Sequence, residues 1–168
     1  MLINESQIQW IEVKADDILA DAYGSIGKVS TPVDVHKVAE LLGIKIQTGD
    51  ISKEGVSAIF QKKENRIIIQ RSDLATRQNF SIAHEIGHFV LHKDKDEDVF
   101  YREDATNLDK ETQKEEQEAN VFAAALLMPE FFVRRLFAQF PNVLILADAF
   151  KVSQVAAYFR LKNLKLTE

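Results

Sequence analysis

The residues best suited to chemistry are His84-Glu85-Ile86-Gly87-His88. In a helix, positions i and i+4 share a face one turn apart, so both imidazoles can reach a single ion. Glu85 projects in an adjacent direction, where it can touch a metal-activated water without ligating the metal. Two nitrogen ligands and a general base within one turn are the physical content of the H-E-x-x-H zinc motif. The neighbouring Phe80, Ile82, Ala83, Ile86, Phe89 and Val90 are core-like. A buried histidine pair must find partners for its ring nitrogens.

A catalytic zinc site needs a third protein ligand and an open fourth position. The extended pattern that adds a glycine and a third histidine fails, because positions 91 and 94 are Leu and Asp. His92 stands one turn past His88, too far along a straight helix for the same ion, and is expected to end the helix and meet its carbonyls. His36 can reach a site only through the fold. A carboxylate on a second helix is therefore the natural third ligand, and the segment from Glu111 to Met128 offers Glu111, Glu115, Glu116 and Glu118. Glu118 aligns with Phe122, Ala125 and Leu126 at helical spacing, which puts it at the polar end of an apolar stripe. Glu115 shares nearly the same face, so periodicity does not separate the two.

The elements that position these residues are legible as a coarse series. Apolar spacing predicts a helix over about Glu5 to Tyr23, ended by Gly24 and Gly27. Thr31-Pro32 opens a second, with Thr31 as cap and Gly43 as stop. Ile44 to Gln47 alternates as a strand, and Val56 to Gln61 with Arg66 to Gln70 read as a hairpin. Leu74 to His92 is a long helix capped near Ser72 or Asp73. Lys93 to Lys110 reads as an excursion or lid. Helices over about 111–128, 130–140, 143–150 and 153–161 complete the chain. The expected fold is α+β: one mostly helical domain over residues 1–168 with a small, about three-stranded antiparallel sheet.

Composition narrows the function further. The 168 residues include no cysteine, which excludes disulfides, thiolate metal sites and a cysteine nucleophile. Net charge is −5, and residues 93–118 carry 11 acids against 5 bases. An acidic chain without a dominant basic face is a poor general binder of nucleic acid. The longest apolar run is Val121 to Met128, far short of the roughly 20 residues that cross a bilayer. The N-terminus lacks a basic region followed by an apolar stretch, so a cytoplasmic protein without a secretory signal is expected.

Arg77 through His92, containing the HEIGH core, resembles the central motif of the ImmA/IrrE family of metallopeptidases. Glu118-Ala119-Asn120 through Met128-Pro129 is similar to that family's second motif, and the likeness extends from about Thr31 to Leu166. The resemblance implies a zincin-like active-site helix, with His84, His88 and Glu118 as metal ligands and Glu85 as catalytic base. It implies Zn²⁺, although two histidines and a carboxylate also suit Mn²⁺ or Fe²⁺. It further implies an endopeptidase that cleaves a helix-turn-helix transcriptional repressor to derepress its genes. Tyr101, His36, Arg77 and Tyr158 are candidates for oxyanion or substrate contacts. Two other readings are a catalytically silent repressor-interaction module or toxin–antitoxin accessory protein, and DNA binding through the helix-turn-helix-like pair at about 143–161. Against DNA binding stand the acidic total and the scarcity of polar side chains between Val155 and Phe159.

Overall fold

The computed structural model describes residues 2–92, 99–101 (as backbone) and 109–167. The first helix, α1 (Glu5–Tyr23), starts at a reciprocal cap in which Asn4 accepts from the Gln7 amide while the Gln7 side chain accepts from the Asn4 amide. It ends at Gly24, whose φ of 81° is the left-handed conformation that glycine adopts without steric cost. Helix α2 (Val35–Leu41) is capped by Asp34, which accepts from the amides of His36 and Lys37. The expected cap, Thr31, lies before a cis peptide to Pro32, outside the helix.

Strands β1 (Lys45–Gly49), β2 (Ala58–Gln61), β3 (Arg66–Gln70) and β4 (Val99–Tyr101) form one sheet in the order β1-β3-β2-β4. The expected hairpin is present, with β2 antiparallel to β3 across the turn at 62–65. The sheet is nevertheless mixed, because β1 runs parallel to β3, and β4 adds a fourth strand antiparallel to β2. Asn65 decides where β1 enters. Its amide donates to the Gly43 carbonyl at 2.7 Å, and its carbonyl accepts from the Lys45 amide at 2.9 Å. Both strands therefore start from the same end of the sheet. In β2 and β3 the alternation buries Ala58, Phe60, Ile67 and Ile69 on one face.

Helix α3 (Ala75–Leu91) lies on β2 and β3 and packs along α4 (Lys110–Leu127). Neither Ser72 nor Asp73 caps α3, whose N-cap is Leu74 without a side-chain bond; Asp73 instead pairs with Arg77 at 3.3 Å. Helix α4 is capped by Asp109 and stops before Pro129. The chain then forms α5 (Glu130–Gln139), α6 (Val143–Phe150) and α7 (Gln154–Asn163). Ile82 and Ile86 of α3 join Phe122 and Leu126 of α4 in the core, each side chain contributing about 1.5–3 kcal/mol by leaving water.

Two features set the spacing of the helices. Gly87 lets α3 approach α4 closely: a Cβ there would meet the Phe122 ring at 3.1 Å and the Ala119 backbone at 3.2 Å. Arg160 of α7 is fully buried; its Nε donates to the Met128 carbonyl at 2.9 Å and its two terminal nitrogens grip the Glu12 carboxylate. This fork ties α7 to α1 and to the end of α4. Among the described residues no helix is long and apolar enough to cross a membrane.

Candidate metal centre

The close seam between α3 and α4 carries the site. His84 and His88, four residues apart on α3, turn their Nε2 atoms toward each other at 3.0 Å. Between them comes the carboxylate of Glu116 on α4, with Oε2 3.2 Å from His84 Nε2 and Oε1 3.1 Å from His88 Nε2. The convergence follows from the small residues of the seam. Glu116, Ala119 and Ala123 recur at helical spacing on α4, and Ala119 is the residue that meets Gly87.

The two imidazole nitrogens and the Glu116 carboxylate, one oxygen toward each ring, stand 3.0–3.2 Å from one another and satisfy a simple test for an ion. Zinc bonds of about 2.0–2.1 Å at tetrahedral angles require donors roughly 3.3 Å apart. The chemistry agrees: two imidazole nitrogens and a carboxylate are the donor set of a catalytic zinc site. Burial disfavours charge on His88 and holds its pKa below the usual value, an effect Glu116 opposes and His84 reinforces. Burial alone would raise the Glu116 carboxyl, but its contact with the His84 and His88 imidazoles prevails and holds it well below the carboxylate range. His88 and Glu116 are thus biased toward their ligating forms, one neutral and the other ionised. Glu85, next to His84 and only 1% exposed, lies inside the same buried stretch of α3.

A further layer stands behind the histidines. His84 Nδ1 meets Asn120 Oδ1 at 3.0 Å. His88 Nδ1 meets His92 Nδ1 at 3.1 Å, and His92 Nε2 meets Glu118 Oε2 at 2.9 Å. His92 does end α3, its amide bonding to the His88 carbonyl, but its ring serves His88 and Glu118 rather than the helix carbonyls. Burial lowers the His92 pKa, against the pull of Glu118.

The position expected for the third carboxylate is therefore filled by another residue. Glu118 is placed on His92, and Glu116 on the histidine pair. The expectation aligned Glu118 with Phe122, Ala125 and Leu126, whereas Glu116 aligns with Ala119, whose backbone meets Gly87 of α3. Gly87 within the motif, opposite Ala119, is the signal that could have found Glu116.

The other candidates are dispersed. His36 is exposed on α2. Arg77 donates to Ser57 Oγ at 2.6 Å and pairs with Asp73. It lines a groove of about 760 Å³ beside the seam, together with Thr76, Phe80, Asn120, Val121 and Phe159. Tyr158 is on α7, 42% exposed and edge-on to Phe159. The side chain of Tyr101 lies outside the described residues, as does most of the excursion expected at 93–110.

An α+β domain with an HExxH helix and a facing carboxylate on a second helix defines a zincin-like metal-site architecture. The chain belongs to the IrrE N-terminal-like domain family, whose model matches residues 39–162. It is 37% identical over 101 residues to the radiation response metalloprotease IrrE of Deinococcus radiodurans, covering 58% of this chain and 30% of that protein. It is 26% identical over 139 residues to the metallopeptidase ImmA of Bacillus subtilis, covering 83% of this chain and 76% of that one. Among solved structures, a Mycobacterium tuberculosis transcriptional regulator shares the fold with a TM-score of 0.66 at 17% identity, over 90% of this chain and 46% of the other. The chain thus spans less than half the length of IrrE and of that regulator.

Proposed function

We propose that the chain is a metal-dependent endopeptidase, with His84, His88 and Glu116 as ligands and Glu85 as general acid–base. The observation that carries this reading is the approach of two imidazole nitrogens and a carboxylate to within 3.2 Å of one another beside a buried glutamate. His84, His88 and Glu116 would hold Zn²⁺, or Mn²⁺ or Fe²⁺, and the ion would supply Lewis acidity for the scissile carbonyl and for the attacking water. Glu85 takes the proton of the attacking water and returns it to the leaving amine. Burial keeps competing bulk water away from that proton transfer.

The substrate that fits the family is a helix-turn-helix transcriptional repressor, cleaved in the cytoplasm to release its genes. Kinship with proteins named as a metalloprotease and a metallopeptidase supports the peptidase chemistry. DNA binding through α6 and α7 is disfavoured by the outward face of α7, which presents Val155, Tyr158 and Phe159 rather than polar base-reading groups. Incubation with a repressor encoded beside the gene, with and without chelator, tests the reading. Cleavage that needs the metal and disappears in Glu85→Gln is the expected result. Metal-free cleavage, or a Glu85→Gln variant as active as the parent, overturns it.

A further inference from the structure

We propose that His92 and Glu118 act as positioning residues: a relay that fixes which nitrogen of His88 carries the proton, and so presents the other nitrogen to the ion. The inference rests on the metal site proposed above and concerns two residues outside its ligand set.

The proton positions follow in sequence from the acceptor end. Glu118 Oε1 takes Gln7 Nε2 at 3.4 Å and faces Lys114 Nζ at 3.6 Å, which leaves Oε2 for His92 Nε2 at 2.9 Å. A carboxylate can only accept, so His92 Nε2 donates. The neutral His92 ring then has its lone pair on Nδ1, which lies 3.1 Å from His88 Nδ1. His88 Nδ1 must therefore carry the hydrogen. Its Nε2 is left as a lone pair, turned toward His84 Nε2 and Glu116 Oε1. On His84 the same result takes one step, because the Asn120 Oδ1 acceptor at 3.0 Å claims the Nδ1 hydrogen. Carboxylates behind metal-bound histidines orient the ring and raise its basicity; here a second imidazole is interposed.

The fold explains why an intermediary is needed. Glu118 is two residues past Glu116, about 200° around α4, and cannot face the histidine pair directly. His92 stands beyond the last turn of α3, at φ −121° and ψ 41°, where the chain has left the helix. From there its ring spans the gap between His88 and the far side of α4.

The test measures zinc affinity by chelator competition and locates ring protons by ¹⁵N NMR of the zinc-loaded and metal-free chain. In the unsubstituted protein His92 should carry its proton on Nε2 and His88 on Nδ1. His92→Phe and Glu118→Leu should each weaken zinc binding about 10–100-fold, with far-UV circular dichroism unchanged. Glu118→Gln, which keeps an acceptor oxygen, should lose less. In Glu118→Leu the His92 proton should redistribute between its two nitrogens, which loss of packing alone would not cause. A His92 proton resident on Nδ1 in the unsubstituted chain overturns the relay, and this holds even where a variant fails to fold. Zinc affinity in His92→Phe and Glu118→Leu equal to that of the unsubstituted chain overturns it as well. Failure of the unsubstituted chain to bind zinc at all would instead remove the metal site on which the relay rests.

Discussion

Two buried polar clusters in this molecule bring together different kinds of partner. Around Arg160, opposite charges meet directly: the guanidinium is wholly enclosed, its Nε donates to the Met128 carbonyl, and its fork meets both oxygens of Glu12. Cation on anion is the signature of a structural tie. At the α3–α4 seam the groups that meet are all metal-ligating types. His84 Nε2, His88 Nε2 and the Glu116 carboxylate converge on one point, while the other ring nitrogens face Asn120 and His92. That donor set suits a cation. Burial of charge does not distinguish a fastening from a site; the kind of partner does.

The sharpest way to break the comparison is at Glu85. Glu85→Gln should reduce repressor cleavage by about 10²–10⁴-fold while zinc content, read by elemental analysis, stays near one ion per chain. Next, Arg160→Ala should leave Glu12 buried without its partner and cost about 3–5 kcal/mol of stability, measured by denaturant unfolding. Zinc affinity of the folded fraction should be unaffected, since the fork is separate from the seam. Glu116→Ala should do the reverse, with zinc affinity falling more than in any variant of Glu118 and the fold persisting. Retention of zinc by Glu116→Ala, with loss only in a Glu118 variant, would move the ligand.

Acidification should act on the seam first. His88 is held below its ordinary 6.5 and Glu116 below its ordinary 4.5, so the folded chain binds fewer protons there than the unfolded chain. Stability contributed by these groups is present above those ordinary values. It is lost as pH falls through them toward the depressed folded-state values. Thermal unfolding of the metal-free chain from pH 8 to pH 4 should show that decline. The smallest effect belongs to Asp16, whose pKa is raised by burial and by Glu12, against the pull of Arg160. Its folded form resists charging, so it favours folding below about its ordinary 3.8 and loses that contribution as pH rises through the raised value. Asp16→Asn should therefore stabilise the chain at pH 7 by about 0.5 kcal/mol, a gain that vanishes in acid.

Much of this was legible in one dimension because the information is local. The bounds of α1 follow from an apolar period, a capping pair and a glycine stop, all within one segment. The HEIGH pentapeptide carries two ligands and a base at fixed helical offsets. The mixed sheet was less visible: the alternation of β1 fits either a parallel or an antiparallel neighbour, and Asn65, a turn residue with φ of 47°, makes the choice through contacts 20 positions away. Glu116 was hidden for a related reason. Periodicity ranks faces by the bulk of their apolar side chains, and Glu116 aligns with the small Ala119, where α4 comes closest to Gly87.

The sequence by itself determined the chemistry available: two imidazoles and a carboxylate within five residues, acids in surplus on a later helix, and no thiol anywhere. Only tertiary structure decided which of those acids meets the imidazoles. That choice depends on the rotation of one helix about its axis against another, and Gly87 and Ala119 set it through a contact 32 residues apart in the chain. A rotation of that kind changes no local pattern, so it is fixed only when the two surfaces close.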